Sequence, residues 1–275
     1  MRLWRAHGLG NDYLVLEDGP VMDPALVRAI CDRHRGVGGD GVLEPNSADD
    51  ADHGVRIWNP DGSLAEKSGN GLRIFARWLV QRAGAGPAFT VSTGADVVAC
   101  EVGDEVRVAM GRARFEPDEV PVAADAPVIE RPVDVEGVEL TITAVGLGNP
   151  HCVIYRDEPL DALPWRSWGR ALEVHPLFPN RTNVQIARVL GERVVEARIW
   201  ERGAGETLAS GSSSCAVAAV GVRTGRLRGG EIEVRMPGGS LRVRVDPDLT
   251  LHLRGPVEPV GVVEVDPEWL AARSR

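Results

Sequence analysis

Trp58-Asn59-Pro60-Asp61-Gly62-Ser63-Leu64-Ala65-Glu66-Lys67-Ser68-Gly69-Asn70-Gly71 and Trp200-Glu201-Arg202-Gly203-Ala204-Gly205-Glu206-Thr207-Leu208-Ala209-Ser210-Gly211-Ser212-Ser213 share one outline. Tryptophan and serine stand ten residues apart in both. Gly8-Leu9-Gly10-Asn11 and Gly146-Leu147-Gly148-Asn149 repeat at nearly the same offset. Two matches offset by about 140 residues in a chain of 275 read as two half-length copies. Each serine precedes small residues at what reads as a helix start. Such a start has free backbone N–H groups and a partial positive charge, and small residues let an anion come close. Plain N-capping by serine explains either motif alone. The pairing, with the Gly-rich entries Asp61-Gly62 and Gly203-Ala204-Gly205, favours two serines converging on one ligand from opposite sides.

The flanking segments fit repeated halves. Leu72 to Ala83, stopped by Gly84, and Cys215 to Thr224, stopped by Gly225, have helix length. Ile74, Phe75, Trp78 and Leu79 give the first an apolar face, whereas the second is Ala/Val-rich and reads as buried all round. Thr90-Val91-Ser92-Thr93, Val97 to Val102 and Glu105 to Met110 alternate as strands, and Glu231 to Met236, Ser240 to Val245 and Leu251 to Leu253 repeat them. This places a buried helix inside a curled sheet in each half. Glu116 to Val128 is aperiodic and rich in Pro, Ala and acid, and reads as a linker. The boundaries are then 1–117 and 118–275, with a final strand near 262–275 returning to the first half.

Composition narrows the function. A net charge of −9 argues against nucleic-acid partners and acidic membranes. No apolar run approaches the ~20 residues of a membrane span, and the N-terminus has no secretory h-region, which places the chain in the cytoplasm. Cys31, Cys100, Cys152 and Cys215 form no CxxC pair, which fits reduced thiols and no metal site. Lys67 is the sole lysine, so a pyridoxal phosphate Schiff base is disfavoured, and no cofactor is expected. Asn11, Asn59, Asn149 and Asn183 offer donors and acceptors to a zwitterion, although loop asparagines also form turns. Arg202 offers a fork for a carboxylate, and Glu201 could take an ammonium.

The ordered strings Ala6-His7-Gly8-Leu9-Gly10-Asn11-Asp12-Tyr13, Arg33 to Gly41, Asn59-Pro60-Asp61-Gly62-Ser63, Gly69-Asn70-Gly71-Leu72-Arg73, Gly148 to Val153, Arg181 to Gln185 and Glu201-Arg202-Gly203-Ala204-Gly205-Glu206-Thr207 resemble the motifs of diaminopimelate epimerases. The resemblance covers nearly the whole chain, and the last string is highly specific. It implies an α/β (α+β) fold of two pseudo-symmetric domains, each a curled, mostly antiparallel sheet around a central helix, with the active site in the cleft between them. It implies a cofactor-independent epimerase that interconverts LL- and meso-diaminopimelate by two-base proton transfer, in lysine and peptidoglycan precursor biosynthesis. A homodimer and a small amino-acid substrate follow from the same resemblance.

In that family a thiolate removes the α-proton and a thiol on the other face returns one. Those two positions are Ser68 and Ser210 here, so proton transfer is expected to be impaired or altered while binding survives. A serine hydroxyl is a far weaker acid than a thiol and needs an adjacent base. The family matches for the groups beside the two bases are His151 and Glu201, which could support serine as a relay; a packing histidine is the simpler alternative. Lys67 beside Ser68 is a weaker candidate, since sequence neighbours point apart. Gly69, Asn70, Gly211 and Ser212 would hold the reacting carboxylate, and Asn11, Asn59, Asn149, Asn183 and Arg202 the distal end. A phenazine-biosynthesis-type isomerase and a non-catalytic amino-acid-binding protein are the rival readings.

Overall fold

The structure, a computed structural model, describes residues 1–273. It divides into two units: Met1–Ala109 with the C-terminal segment from Gly255, and Met110–Arg254.

The first unit opens with a hairpin, β1 (Arg2–Gly8) and β2 (Asn11–Asp18). Its turn residues Leu9 and Gly10 have φ of 57° and 88°. Both are left-handed, the geometry that matches strand twist in a two-residue hairpin. Leu9 accepts a left-handed cost of about 1–2 kcal/mol to make it. Helix α1 (Pro24–Cys31) starts at Asp23, whose carboxylate accepts from the N–H of Ala25 and Leu26. Then come β3 (Val42–Asn46), β4 (His53–Trp58), β5 (Leu64–Ala65), α2 (Gly69–Arg82), β6 (Ala88–Ser92), β7 (Val97–Val102) and β8 (Val106–Arg112). β2–β3 and β4–β6 pair in parallel; β1–β2, β3–β4, β4–β5, β6–β7 and β7–β8 pair antiparallel. Helix α2 packs on β1, β2 and β7. It buries Leu72, Ile74 and Phe75 completely, each worth about 1.5–3 kcal/mol of transfer free energy.

The second unit repeats this order. β9 (Arg131–Val135) precedes the hairpin β10 (Val138–Gly146) and β11 (Pro150–Tyr155), followed by α3 (Trp165–Glu173), β12 (Asn183–Gly191), β13 (Val194–Glu201), β14 (Gly205–Thr207), α4 (Gly211–Arg223), β15 (Gly230–Met236), β16 (Gly239–Val245) and β17 (Thr250–Gly255). β11–β12 and β13–β15 are parallel, the counterparts of β2–β3 and β4–β6, and the other pairings are antiparallel. Along β15, Ile232, Val234 and Met236 point inward while Glu231 and Arg235 do not, the period-two pattern of a sheet with one buried face. Helix α4 is buried from Ser213 through Gly221 and packs on β10, β11, β12, β13, β15 and β16. Its Ala and Val residues let the strands approach on every side.

The chain closes with β18 (Glu258–Glu264) and α5 (Pro267–Ala271). β18 runs antiparallel to β1, from Arg2↔Glu264 to His7↔Glu258. The Glu116–Val128 stretch differs from a loose linker. Val120, Val122 and Val128 are buried in the core of the second unit with Leu140, Ile142 and Trp165. Ala123 N–H donates to the Leu177 carbonyl at 2.8 Å, and Ala144 N–H to that of Val128 at 2.8 Å. Its valines are irregularly spaced, so periodicity did not reveal that they are buried. Among the described residues no helix is long and apolar enough to cross a membrane.

Candidate active site

In the first unit Ser68 is the N-cap of α2, in extended backbone, and its Oγ accepts from Gly71 N–H at 3.0 Å. Gly69 and Asn70 occupy the first two helical positions, where a backbone N–H has no acceptor within the helix. The Oη of Tyr13 lies 3.2 Å from Ser68 Oγ. Asn70 and Asn11 are brought together: Asn70 Nδ2 donates to Asn11 Oδ1 at 3.0 Å, and Asn11 Nδ2 donates to Asp40 Oδ2 at 2.8 Å. Arg73, fully buried, fixes the other end by donating to Asn70 Oδ1 at 2.8 Å. Arg33 bridges Asp40 and Asp12 at 2.7 Å to each, and Arg5 holds the second oxygen of Asp12. Burial opposes ionisation of Asp12, but the bonds and charges of Arg33 and Arg5 outweigh it and hold its carboxyl below the usual range. Asn59 sits apart from this chain in the β4–β5 turn, where its amide donates to Ser63 Oγ at 3.0 Å. Lys67 is paired with Asp96 at 2.7 Å, which explains its place in the loop without a catalytic role.

In the second unit Ser210 is the N-cap of α4 and accepts from Ser213 N–H at 3.5 Å, a weaker cap than that of Ser68. Gly211 and Ser212 follow at the first two helical positions. His151 is completely buried. Gln185 Nε2 lies 3.1 Å from His151 Nδ1 and donates to Ser213 Oγ at 3.0 Å. An amide nitrogen only donates, so Nδ1 accepts and the ring proton sits on Nε2, 2.8 Å from Asn149 Oδ1. Burial drives the imidazole down to about 3, and the charge of Arg202 reinforces it. His151 is therefore neutral with both nitrogens engaged, an arrangement that orients Asn149.

Asn183 is also a clamp. Its Oδ1 accepts from Arg202 N–H at 3.0 Å and its Nδ2 donates to the Pro150 carbonyl at 3.1 Å. Arg202 is exposed and donates to the Asn180 carbonyl at 3.2 Å. Glu201, at the end of β13, is half-buried, and its carbonyl accepts from Ala204 N–H at 3.2 Å. No cysteine offers an alternative nucleophile, since all four are buried. Burial pushes the thiols of Cys31 and Cys100 up to about 12, and that of Cys152 higher still.

Two buried glutamates were missed by sequence reasoning. Glu173 of α3 accepts from Trp200 Nε1 at 2.7 Å and Gly203 N–H at 2.7 Å and pairs closely with Arg181. Glu44 of β3 accepts from Trp58 Nε1 at 2.8 Å, Met22 N–H at 3.0 Å and Arg56 at 2.9 Å. Each tryptophan that precedes a serine motif is thus moored to a carboxylate of its own unit. Gly169 lets α3 press onto this assembly, since a Cβ there would come within 2.8 Å of Trp200 Cβ. Tyr13, Asp40, Arg73 and Gln185 lay inside recognisable motifs, yet only the fold shows what they touch.

Known proteins match the chain over nearly its full length. The family model for diaminopimelate epimerase matches residues 3–116 and 143–259. The chain belongs to the diaminopimelate epimerase family. It is 41% identical to the diaminopimelate epimerase of Desulforudis audaxviator over 99% of this chain and 100% of that one. It is 39% identical to diaminopimelate epimerase 2 of a Nostoc species over 98% of each. Solved structures share the fold at low identity. A phenazine biosynthesis protein of the PhzF family from Bacillus anthracis matches with a TM-score of 0.72 at 16% identity, covering 97% of this chain and 99% of that one. A hydroxyproline epimerase from Agrobacterium vitis matches with a TM-score of 0.71 at 17% identity, covering 100% and 98%.

Proposed function

We propose that this chain is an isomerase that interconverts LL- and meso-diaminopimelate by proton exchange at the α-carbon, without a cofactor. The observation that carries the reading is the full-length match to diaminopimelate epimerases at 39–41% identity. In this reading Ser68 and Ser210 are the groups that remove and return the proton. The N–H groups of Gly69 and Asn70, and of Gly211 and Ser212, receive the reacting carboxylate; a helix N-terminus is suited to an anion on backbone grounds alone. Asn11, Asn59, Asn149, Asn183 and Arg202 recognise the distal amino-acid end. Glu201 remains a candidate acid–base neighbour, and His151 acts by orienting Asn149. The bonds from Arg73 to Asn70 and from Gln185 to His151 support this division, because they fix amide orientation before a ligand arrives. The reading places the protein in the cytoplasm, as a homodimer, in lysine and cell-wall precursor supply.

The test is deuterium incorporation at the α-carbon in heavy water, read by NMR, with LL- and meso-diaminopimelate, lysine and glutamate in parallel, and calorimetry on the same panel. Exchange confined to the diaminopimelate isomers is the expected result. Selective binding without exchange would assign the chain to amino-acid binding. Equal or absent binding across the panel would overturn the reading.

A further inference from the structure

We propose that Tyr13 is the proton reservoir of the Ser68 hydroxyl: a relay-positioning residue that lets a serine carry acid–base chemistry on the first unit's side. The inference rests on the reading of Ser68 as a proton-transferring group.

A serine hydroxyl alone is too weak an acid for this work, and it needs a titratable neighbour in contact. The structure supplies one. Tyr13 Oη lies 3.2 Å from Ser68 Oγ. Ser68 Oγ already accepts from Gly71 N–H at 3.0 Å. A hydroxyl oxygen has two acceptor sites and one proton. With Tyr13 donating into the second site, the Ser68 proton is left to be aimed outward. A phenol, which ordinarily ionises near 10, is a much stronger acid than an alkanol. The more acidic member of the pair is therefore the tyrosine.

The placement of the ring is specific. Tyr13 is 6% exposed and pairs across the hairpin with Ala6. Gly41 makes room for it, since a Cβ there would come within 2.6 Å of Tyr13 Cε1. Two residues along β2, Asn11 points to the same face of the strand. Asn11 is bonded to Asn70, two positions after Ser68. One strand face thus delivers an amide to the second helical residue and a phenol to the cap.

The proton balance closes without another reactant. When Ser68 Oγ–H passes to the substrate carbanion, Tyr13 Oη–H passes to Ser68 Oγ; the new C–H bond forms and the negative charge ends on the phenolate. In reverse, Ser68 takes the α-proton as its own proton returns to the phenolate, and the charge moves to carbon.

The charged groups on the surrounding elements include Arg5 on β1, Asp12 on β2, Arg33 and Asp40 on the loop before β3, Lys67 just before the Ser68 cap and Arg73 in the first turns of α2. Arg5, Arg33, Asp12 and Asp40 are bonded among themselves, Lys67 pairs with Asp96, and Arg73 donates to Asn70.

The experiment is Tyr13→Phe, alone and with Ser68→Cys, read by α-proton exchange with both diaminopimelate isomers, by calorimetric binding and by the pH profile. General acid–base groups are typically worth 10²–10⁴-fold, so loss of the reservoir should lower the exchange kcat by about 100-fold or more. Binding should hold, and the alkaline limb of the profile should disappear. The same change should cost far less beside Ser68→Cys, because a thiol ionises on its own. Equal loss in both backgrounds, a fall in binding to match, or an unchanged profile would overturn the relay. Exchange in the unsubstituted chain that Tyr13→Phe leaves untouched would overturn it while the epimerase reading stands. Exchange only after both serines become cysteines would do the same. Absence of exchange in every variant would overturn both.

Discussion

Replacing both cap serines by cysteine, Ser68→Cys with Ser210→Cys, trades stability for rate, and the structure fixes both sides. Each serine caps its helix by accepting from the N–H three residues on, at 3.0 Å for Ser68 and 3.5 Å for Ser210. Loss of an N-cap costs about 0.5–2 kcal/mol. The shorter bond puts Ser68→Cys near 1 kcal/mol and Ser210→Cys near the lower end of that range. At about 2–4 °C per kcal/mol, the double variant should melt roughly 3–6 °C lower.

The gain comes from ionisation. An ordinary thiol titrates near 8.5, and a helix N-terminus favours the anion by about 0.3–2 kcal/mol, or roughly 0.2–1.5 pH units. The helix N-terminus draws a cysteine at either cap toward about 7–8.3, working against the burial of Ser210, so the thiolate is reached most readily at the Ser68 cap. Each acid–base group is typically worth 10²–10⁴-fold. The double variant should exceed the serine chain by several orders of magnitude in deuterium exchange. Each single change should recover only a small part, because groups that act as a unit are non-additive. The profile should also gain a thiol-like ionisation. A serine chain that already turns over as fast as the double variant would refute the argument and leave the hydroxyls functional in their own right.

Two further outcomes follow from buried groups. His151, held at about 3 against an ordinary 6.5 by burial, binds a proton in the unfolded chain before it does in the folded one. Stability is therefore full above about 6.5 and falls as pH drops toward 3, at up to ~1.4 kcal/mol per pH unit. Between pH 6.5 and 5, His151→Gln should lose about 2 kcal/mol less than the parent in urea titrations; parallel curves would show that the imidazole is not neutral in the fold. Glu173→Gln keeps the shape but turns an acceptor toward Arg181 into a possible donor. It should cost about 1–3 kcal/mol and raise KM for diaminopimelate by loosening the Gly203 turn, whereas an unchanged melting curve and KM would show that the turn stands without the carboxylate.

How much of this was legible follows from which interactions are local. Helices α2 and α4 could be read because a serine cap, small first residues and a terminating glycine lie within one segment; Gly84 and Gly225 end them at φ of 75° and 73°. β15 and β16 could be read because side-chain alternation is a property of the strand itself. The buried valines of Glu116–Val128 could not, since their partners Leu140, Ile142 and Trp165 arrive from elsewhere. The motif asparagines were legible as motif members. Their orientation was not, because it depends on Arg73, Asp40 and Gln185 across the fold. A histidine in a motif looks titratable on paper, and only the completeness of its burial makes His151 a neutral spacer.

The internal repeat explains why binding and proton transfer should diverge in this chain. Each half gives its serine the same backbone setting: a strand bearing tryptophan, a tight entry turn, a cap and a helix start. Anion binding by backbone N–H groups depends on that setting alone, so exchanging the cap side chain between hydroxyl and thiol leaves it in place. Proton transfer depends on the side chains around the cap, and those differ. Ser68 has a phenol at 3.2 Å, while Ser210 leads through Ser213 to the amide of Gln185 and an imidazole that stays neutral. Two-base exchange requires a competent group on each side of the α-carbon but does not require the two to be alike. The second unit's serine has the poorer equipment among these contacts, so a single cysteine introduced at Ser210 should help more than one introduced at Ser68.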